Sequence, residues 1–278
     1  MAKLTALQLT SSPNVLENID TIDHLLQQCE KVEEHLVVLP ECCLFFGGKD
    51  AEQLTLAQTT AQDSTLLKHL INLAQKYHCY LVGGTIPILD HGSNKFTNSS
   101  CLITPQGELQ AKYDKIHLFD VAVEDSEKQY LESKYTLAGK STVVAKTPFA
   151  NLGMTVCYDL RFPELYRHLR VKHADIISVP SAFTRVTGKA HWQALLQARA
   201  IENQVYIVAA GQEGVHANGR ETWGHSMIIN PWGEIIAVQE QGNGFVSAEF
   251  SRDELNKIRA SMPVNTHNQF KTELIPYE

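Results

Sequence analysis

The sequence predicts a mixed α/β fold, and three observations point to it. Short apolar runs of β-type composition recur along the 278 residues. Amphipathic stretches with helical spacing separate several of these runs. Two other pairs of runs are joined by turn signals, so hairpins accompany the strand–helix alternation and imply a mixed sheet or two sheets.

In chain order, "LTALQL" (4–9) reads as the first strand. The stretch 15–32 then places Leu16, Ile19, Ile22, Leu25 and Leu26 near helical spacing. "HLVVLP" (35–40) and "YLVGGTI" (80–86) are strands flanking a second amphipathic helix over 64–77. "TNSSCLI" (97–103) and "LQAKYD" enclose "TPQGE", whose Pro and Gly mark a hairpin turn. "LGMTVC" (152–157) and "DIISVP" (175–180) are strands. Between them Pro163 suits the first turn of a helix, Glu164 its positive end, and Arg167, Arg170 and Lys172 its negative end. The stretch 191–204 is rich in helix formers and precedes the strand "VYIVAA" (205–210). "HSMIIN" (225–230) and "EIIAVQ" (234–239) form a hairpin around "NPWGE". The strand "GFVSAEF" (244–250) and a helix over 252–262 complete the pattern.

No Ser/Gly/Pro-rich linker, low-complexity tract or internal repeat interrupts this order, so one domain over 1–278 is expected. Apolar residues make up 44%, enough for a sizeable core. Lys and Arg total 24 against 31 Asp and Glu, a formal charge of −7 without any basic run, which argues against nucleic acid as a partner. The opening "MAKLTALQLT" lacks the apolar centre of a signal peptide. No run approaches the ~18 apolar residues of a transmembrane helix, so no membrane partner is expected. Cys29, Cys42, Cys43, Cys79, Cys101 and Cys157 are then expected as reduced thiols in a cytoplasmic protein.

The stretch "TVC-YDLRF-PELYRHLR" reads as strand, sharp turn and helix, with Cys157 at the carboxyl end of the strand. Sites in open α/β sheets form there. The turn resembles a nucleophile elbow without the G-x-S-x-G glycines, and leaves backbone N–H groups free for an oxyanion. A lone cysteine is ordinarily a core residue, so a nucleophile needs helpers. Two other strand ends supply them. Glu41 follows "HLVVLP" and offers a carboxylate to take the thiol proton. Lys115 follows "LQAKYD" and offers a cation to stabilise developing negative charge. Taken singly, Glu41 also fits a solvated loop acid and Lys115 a surface cluster with Lys112.

Together "HLVVLPE", "KYDKIHLFD" and "GMTVCYDLRFPELYR" resemble the Glu, Lys and Cys motifs of the nitrilase superfamily of carbon–nitrogen hydrolases, in that family's order. The likeness covers nearly the whole chain and is closest to the Nit branch. It implies a four-layer α-β-β-α sandwich that dimerises through its helical layer. It implies Glu41 as general base, Lys115 as electrostatic stabiliser, Cys157 as nucleophile, and Glu132 in "YLESKYTLAG" as a second glutamate orienting the lysine and the substrate. The backbone N–H of Tyr158 would complete the oxyanion hole. The resemblance also implies hydrolysis of an amide through a thioester, with no metal and no organic cofactor required, and a partly buried Glu41 would serve it best.

By the same resemblance Arg161 would hold a substrate carboxylate, with Phe183 and Thr187 in the pocket; paired with Asp159 or Glu164 it would instead be structural. Arg185 lies between those pocket residues and would reach a charged substrate tail or remain at the surface. Two Nit sub-branches fit: one cleaves deaminated glutathione to 2-oxoglutarate and Cys-Gly, the other removes ammonia from 2-oxoglutaramate. Gln212, Gly214 and His216 favour the first, while Thr184 departs from the glycine usual in "SAFGxxTG". Cys42 and Cys43 are adjacent rather than spaced for zinc, Ser226 in "GHSMI" lacks an elbow glycine, and a scaffold protein has no need of an activated thiol.

Overall fold

The computed structural model describes residues 2–123 and 129–275. Two sheets dominate it. In the eight-stranded sheet, Gly244–Glu249, Lys3–Gln8, His35–Val38, Tyr80–Val82, Phe96–Ile103 and Ile86–Leu89 lie side by side in that order, and Leu109–Asp114 and Thr136–Leu137 also pair with Phe96–Ile103. The six-stranded sheet runs Val144–Lys146, Asn151–Met154, Ile176–Ser181, Tyr206–Gly211, Ser226–Ile229, Ile235–Gln239.

Strand periodicity explains how the sheets are layered. Side chains alternate faces along a strand. Leu36 and Val38 enter a core shared with Leu152, Met154, Ile176 and Val208 of the other sheet. Their neighbours Val37 and Leu39 turn to the opposite face, where Ile22 and Leu25 of the helix Val15–Gln28 and Leu70 and Leu73 of the helix Thr65–Tyr77 cover them. On the far side of the second sheet, the helix Pro163–Val171 contributes Leu165, Tyr166 and Leu169, and the helix Arg185–Asn203 contributes Trp192 and Leu196. The order is therefore helices, sheet, sheet, helices, the α-β-β-α sandwich.

Both predicted hairpins form, and the first two helices fall inside their predicted spans. Asn14 caps the first of these helices by accepting from the N–H groups of Leu16 and Glu17, although Leu16 itself is exposed. "YLVGGTI" is not one strand. Gly84 sits at φ +55°, where a Cβ would stand 1.9 Å from the Pro40 carbonyl oxygen. Only glycine fits that turn, and the chain resumes as Ile86–Leu89 on the other side of Phe96–Ile103. The helix Asp50–Thr60 has no counterpart in the sequence reading, because Leu54, Leu56 and Ala57 do not recur along a helical face. Cys157 also differs from its predicted place. Its strand ends at Met154, and the cysteine opens a 3₁₀ turn, Cys157–Arg161.

Candidate active site

Four segments beyond strand ends deliver the predicted groups to one cleft. Glu41, Lys115, Glu132 and Cys157 all line it. Lys115 Nζ lies 2.8 Å from Glu41 Oε1 and 2.9 Å from Glu132 Oε2. Glu41 is 5% exposed, Lys115 2% and Cys157 7%. Asn98, on the strand Phe96–Ile103, donates through Nδ2 to Glu41 Oε1 at 3.0 Å and to Glu132 Oε1 at 3.3 Å. The Ala182 N–H takes the other Glu41 oxygen at 3.0 Å, and the Phe119 N–H takes Glu132 Oε2 at 2.7 Å. Each carboxylate is thus held by donors on both oxygens, which fixes its orientation.

Cys157 occupies φ +49°, a left-handed conformation that costs an L-residue energy and persists only where the surroundings enforce it. Asp159 enforces it. Its buried Oδ2 accepts the Val156 N–H at 2.8 Å and the Tyr113 hydroxyl at 2.7 Å. Burial pushes the Cys157 thiol well above its usual range, the Glu41 carboxylate adds to this, and Lys115 opposes it. For Lys115 burial disfavours the charge, but Glu132 and Glu41 outweigh it and hold the ammonium well above its usual range. At neutral pH the thiol is therefore protonated and the lysine is an ammonium. Together with Glu41 and Glu132, such a set can remove a proton from sulfur, return it to a leaving group and neutralise an oxyanion.

Tyr158, Arg161, Phe183 and Thr187 line the same cleft. Arg161 Cζ stands 5.3 Å over the Phe183 ring, and Nη1 is 3.2 Å from His191 Nδ1. Among the described residues it pairs with no carboxylate, since Asp159 turns inward. Thr184 caps the helix Arg185–Asn203, and its Oγ1 is 2.9 Å from that of Thr187. Arg185 pairs with Glu221 at 2.6 Å and is not among the cleft residues. Gln212 lies behind Glu41 and donates to its backbone carbonyl at 3.0 Å, and His216 bonds the Ser11 carbonyl and the Thr222 hydroxyl. Ser226 is buried and its Oγ accepts the Gly211 N–H, a structural role. Among the described residues no group of His, Cys, Asp and Glu is placed to hold a metal ion, and no helix is long and apolar enough to cross a membrane.

Asn98 and Asp159 were missed from sequence, and Arg220, also not singled out, lines the cleft too. A polar "TNSS" inside an otherwise apolar strand was the available signal for Asn98. An acid two residues past the cysteine was the signal for Asp159.

Residues 3–260 match the Carbon-nitrogen hydrolase family. A Yersinia enterocolitica protein named deaminated glutathione amidase is 42% identical over 276 residues, covering 99% of this chain and 96% of its own. A Synechocystis protein of the same name is 42% identical over 268 residues, covering 95% and 97%. Among solved structures, Saccharomyces cerevisiae Nit3, described as a member of branch 10 of the nitrilase superfamily, aligns with a TM-score of 0.86 and 30% identity over 97% of each chain.

Proposed function

The chain belongs to the carbon–nitrogen hydrolase family, and from that premise we propose that it hydrolyses the amide of deaminated glutathione to 2-oxoglutarate and Cys-Gly. The observation that carries the chemistry is the Lys115 ammonium held between two carboxylates in the cleft that Cys157 lines. The names of the relatives support the substrate.

In this reading Glu41 takes the Cys157 proton as the sulfur attacks the amide carbonyl. A carboxylate beside a thiol with a raised pKa suits a base that acts during attack rather than a standing thiolate. Lys115 and the Tyr158 N–H hold the oxyanion. Protonated Glu41 gives its proton to the departing amine of Cys-Gly, leaving a thioester on Cys157. Glu41 then deprotonates water, which attacks the thioester; 2-oxoglutarate leaves and the proton returns to sulfur. Glu132 fixes Lys115. Arg161 holds the 2-oxo acid carboxylate at the cleft wall, with Phe183 and Thr187 shaping that end. The chain acts as one catalytic domain over 1–278, cytoplasmic, repairing a metabolic by-product. Exposed Val171 and Ile201 on the outer helices support a homodimer through that layer.

The test is kcat/KM for deaminated glutathione against 2-oxoglutaramate, read by coupled assay of 2-oxoglutarate. A preference for the peptide is expected. A preference for 2-oxoglutaramate would keep the thiol chemistry and reassign the enzyme as an ω-amidase. Turnover of neither would overturn the substrate reading.

A further inference from the structure

The cleft carries a second guanidinium that the chemistry above does not use. Arg220 lines it, as Arg161 does. A wall of aromatic rings joins the two. Arg220 Cζ stands 4.8 Å over the Tyr130 ring, Tyr130 lies 5.0 Å from Phe119, Phe119 lies 5.1 Å from Tyr158, and Tyr158 lies 5.9 Å from Arg161 Cζ. The catalytic groups border the middle of this wall. Tyr158 directly follows Cys157, and the Phe119 N–H binds Glu132. An amide placed at Cys157 therefore has one arginine towards each end.

We infer that Arg220 forms an anion subsite for the leaving group and binds the C-terminal carboxylate of the departing dipeptide. This deepens the proposed function and rests on it. The substrate is charged at both ends, with a carboxylate on the acyl part and another on the glycine, and extended it separates them by about 10 Å or more. A pocket with guanidiniums three rings apart matches that charge pattern, and a planar guanidinium suits a carboxylate. Glu221, next to Arg220 in sequence, pairs with Arg185 at 2.6 Å. Lys49, exposed and also lining the cleft, adds to its positive field. Arg220 is placed by a short hairpin, Glu213–Val215 with Glu221–Trp223. Asn218 in its turn donates to the Gly48 carbonyl at 3.0 Å and ties the hairpin to the Glu41 loop. A 2-oxoglutaramate substrate has no group for this subsite, so Arg220 distinguishes the two Nit substrates.

The experiment compares deaminated glutathione with the same peptide bearing a C-terminal carboxamide, in the wild type and in Arg220→Met. The Met variant keeps an unbranched stem against Tyr130 and Phe46. The wild type should prefer the free carboxylate by about tenfold or more in kcat/KM, mainly through KM, the scale of one charge-assisted hydrogen bond. In Arg220→Met this preference should collapse towards one. A wild type indifferent to amidation overturns the subsite without recourse to any variant. An equal preference in wild type and variant assigns the recognition to another group and also overturns it. Turnover of neither peptide by the wild type overturns the substrate reading, and the subsite with it. Arg220→Lys provides a second variant, and a partial preference there supports charge recognition.

Discussion

The Asp159 carboxylate accepts a hydrogen bond from the backbone N–H of His117, at 3.1 Å. The same oxygen lies 2.7 Å from His117 Nδ1, while its partner oxygen takes Val156 N–H and the Tyr113 hydroxyl. His117 is two residues past Lys115, and Val156 is one before Cys157. One buried carboxylate thus ties the segment that carries the ammonium to the turn that carries the sulfur. Asp159→Asn keeps the volume but turns an amide N–H towards one pair of donors. We expect kcat to fall by about a hundredfold, the scale of an ångström-level misplacement. KM should change little, and alkylation of Cys157 by iodoacetamide should slow. A variant with normal kcat and normal alkylation would remove Asp159 as a positioning residue.

The strained backbone at Cys157 makes a second expectation. Cys157→Ala should abolish turnover while leaving the fold intact. Cys157→Gly should abolish it too, yet be more stable than the Ala variant by about 1 kcal/mol, because glycine adopts φ +49° without a steric cost. Urea midpoints of the two variants measure this. Equal midpoints would mean that the turn relaxes when sulfur is removed.

Lys115 lies between the buried Glu41 carboxylate and the part-buried Glu132 carboxylate. Lys115→Met should eliminate activity and destabilise the protein by about 3–5 kcal/mol, the cost of leaving buried charge uncompensated. Adding Glu132→Gln removes one stranded charge and should restore part of that stability without restoring turnover. If the double variant is no more stable than the single one, electrostatic compensation is not what the lysine supplies.

Glu41, Lys115 and Cys157 were legible because each follows a strand that periodicity and turn residues mark clearly. Family likeness added Glu132 and the order of the layers, which strand counting alone left as one sheet or two. What stayed hidden depends on distant pairing. Asn98 reaches Glu41 only because the strand Phe96–Ile103 lies two places from His35–Val38 in the eight-stranded sheet, and no local pattern reveals that. Arg220 enters the cleft because a hairpin folds it over Tyr130, some ninety residues earlier in the chain. Arg185, adjacent to the pocket in sequence, is drawn away by Glu221, whose approach is equally non-local.

Acid sensitivity follows from two buried histidines. Burial pushes His35 down to about 4, with Lys3 adding to it, and pushes His216 down to about 4, against the Ser11 carbonyl, which favours the charge. With about 6.5 in the unfolded chain, the unfolded state binds more protons between these values. Their contribution to stability is complete above pH 6.5 and is lost as pH falls towards 4. At about 1.4 kcal/mol per pH unit, each histidine should account for about 2–3 kcal/mol between pH 7 and 4.5. The geometry gives the reason for His216. Its Nδ1 faces the Ser11 carbonyl at 3.1 Å and must carry the proton, so Nε2 accepts from the Thr222 hydroxyl at 2.7 Å. A second proton on Nε2 abolishes that acceptor and reverses the Thr222 hydroxyl, at the wall of the cleft and two residues from Arg220. His216→Gln removes the titration and keeps polar atoms for both partners. Urea midpoints should fall less steeply from pH 6.5 to 4.5 in this variant than in the wild type, even if it is less stable at pH 7. Parallel pH profiles would show that His216 is not protonated on unfolding in that range.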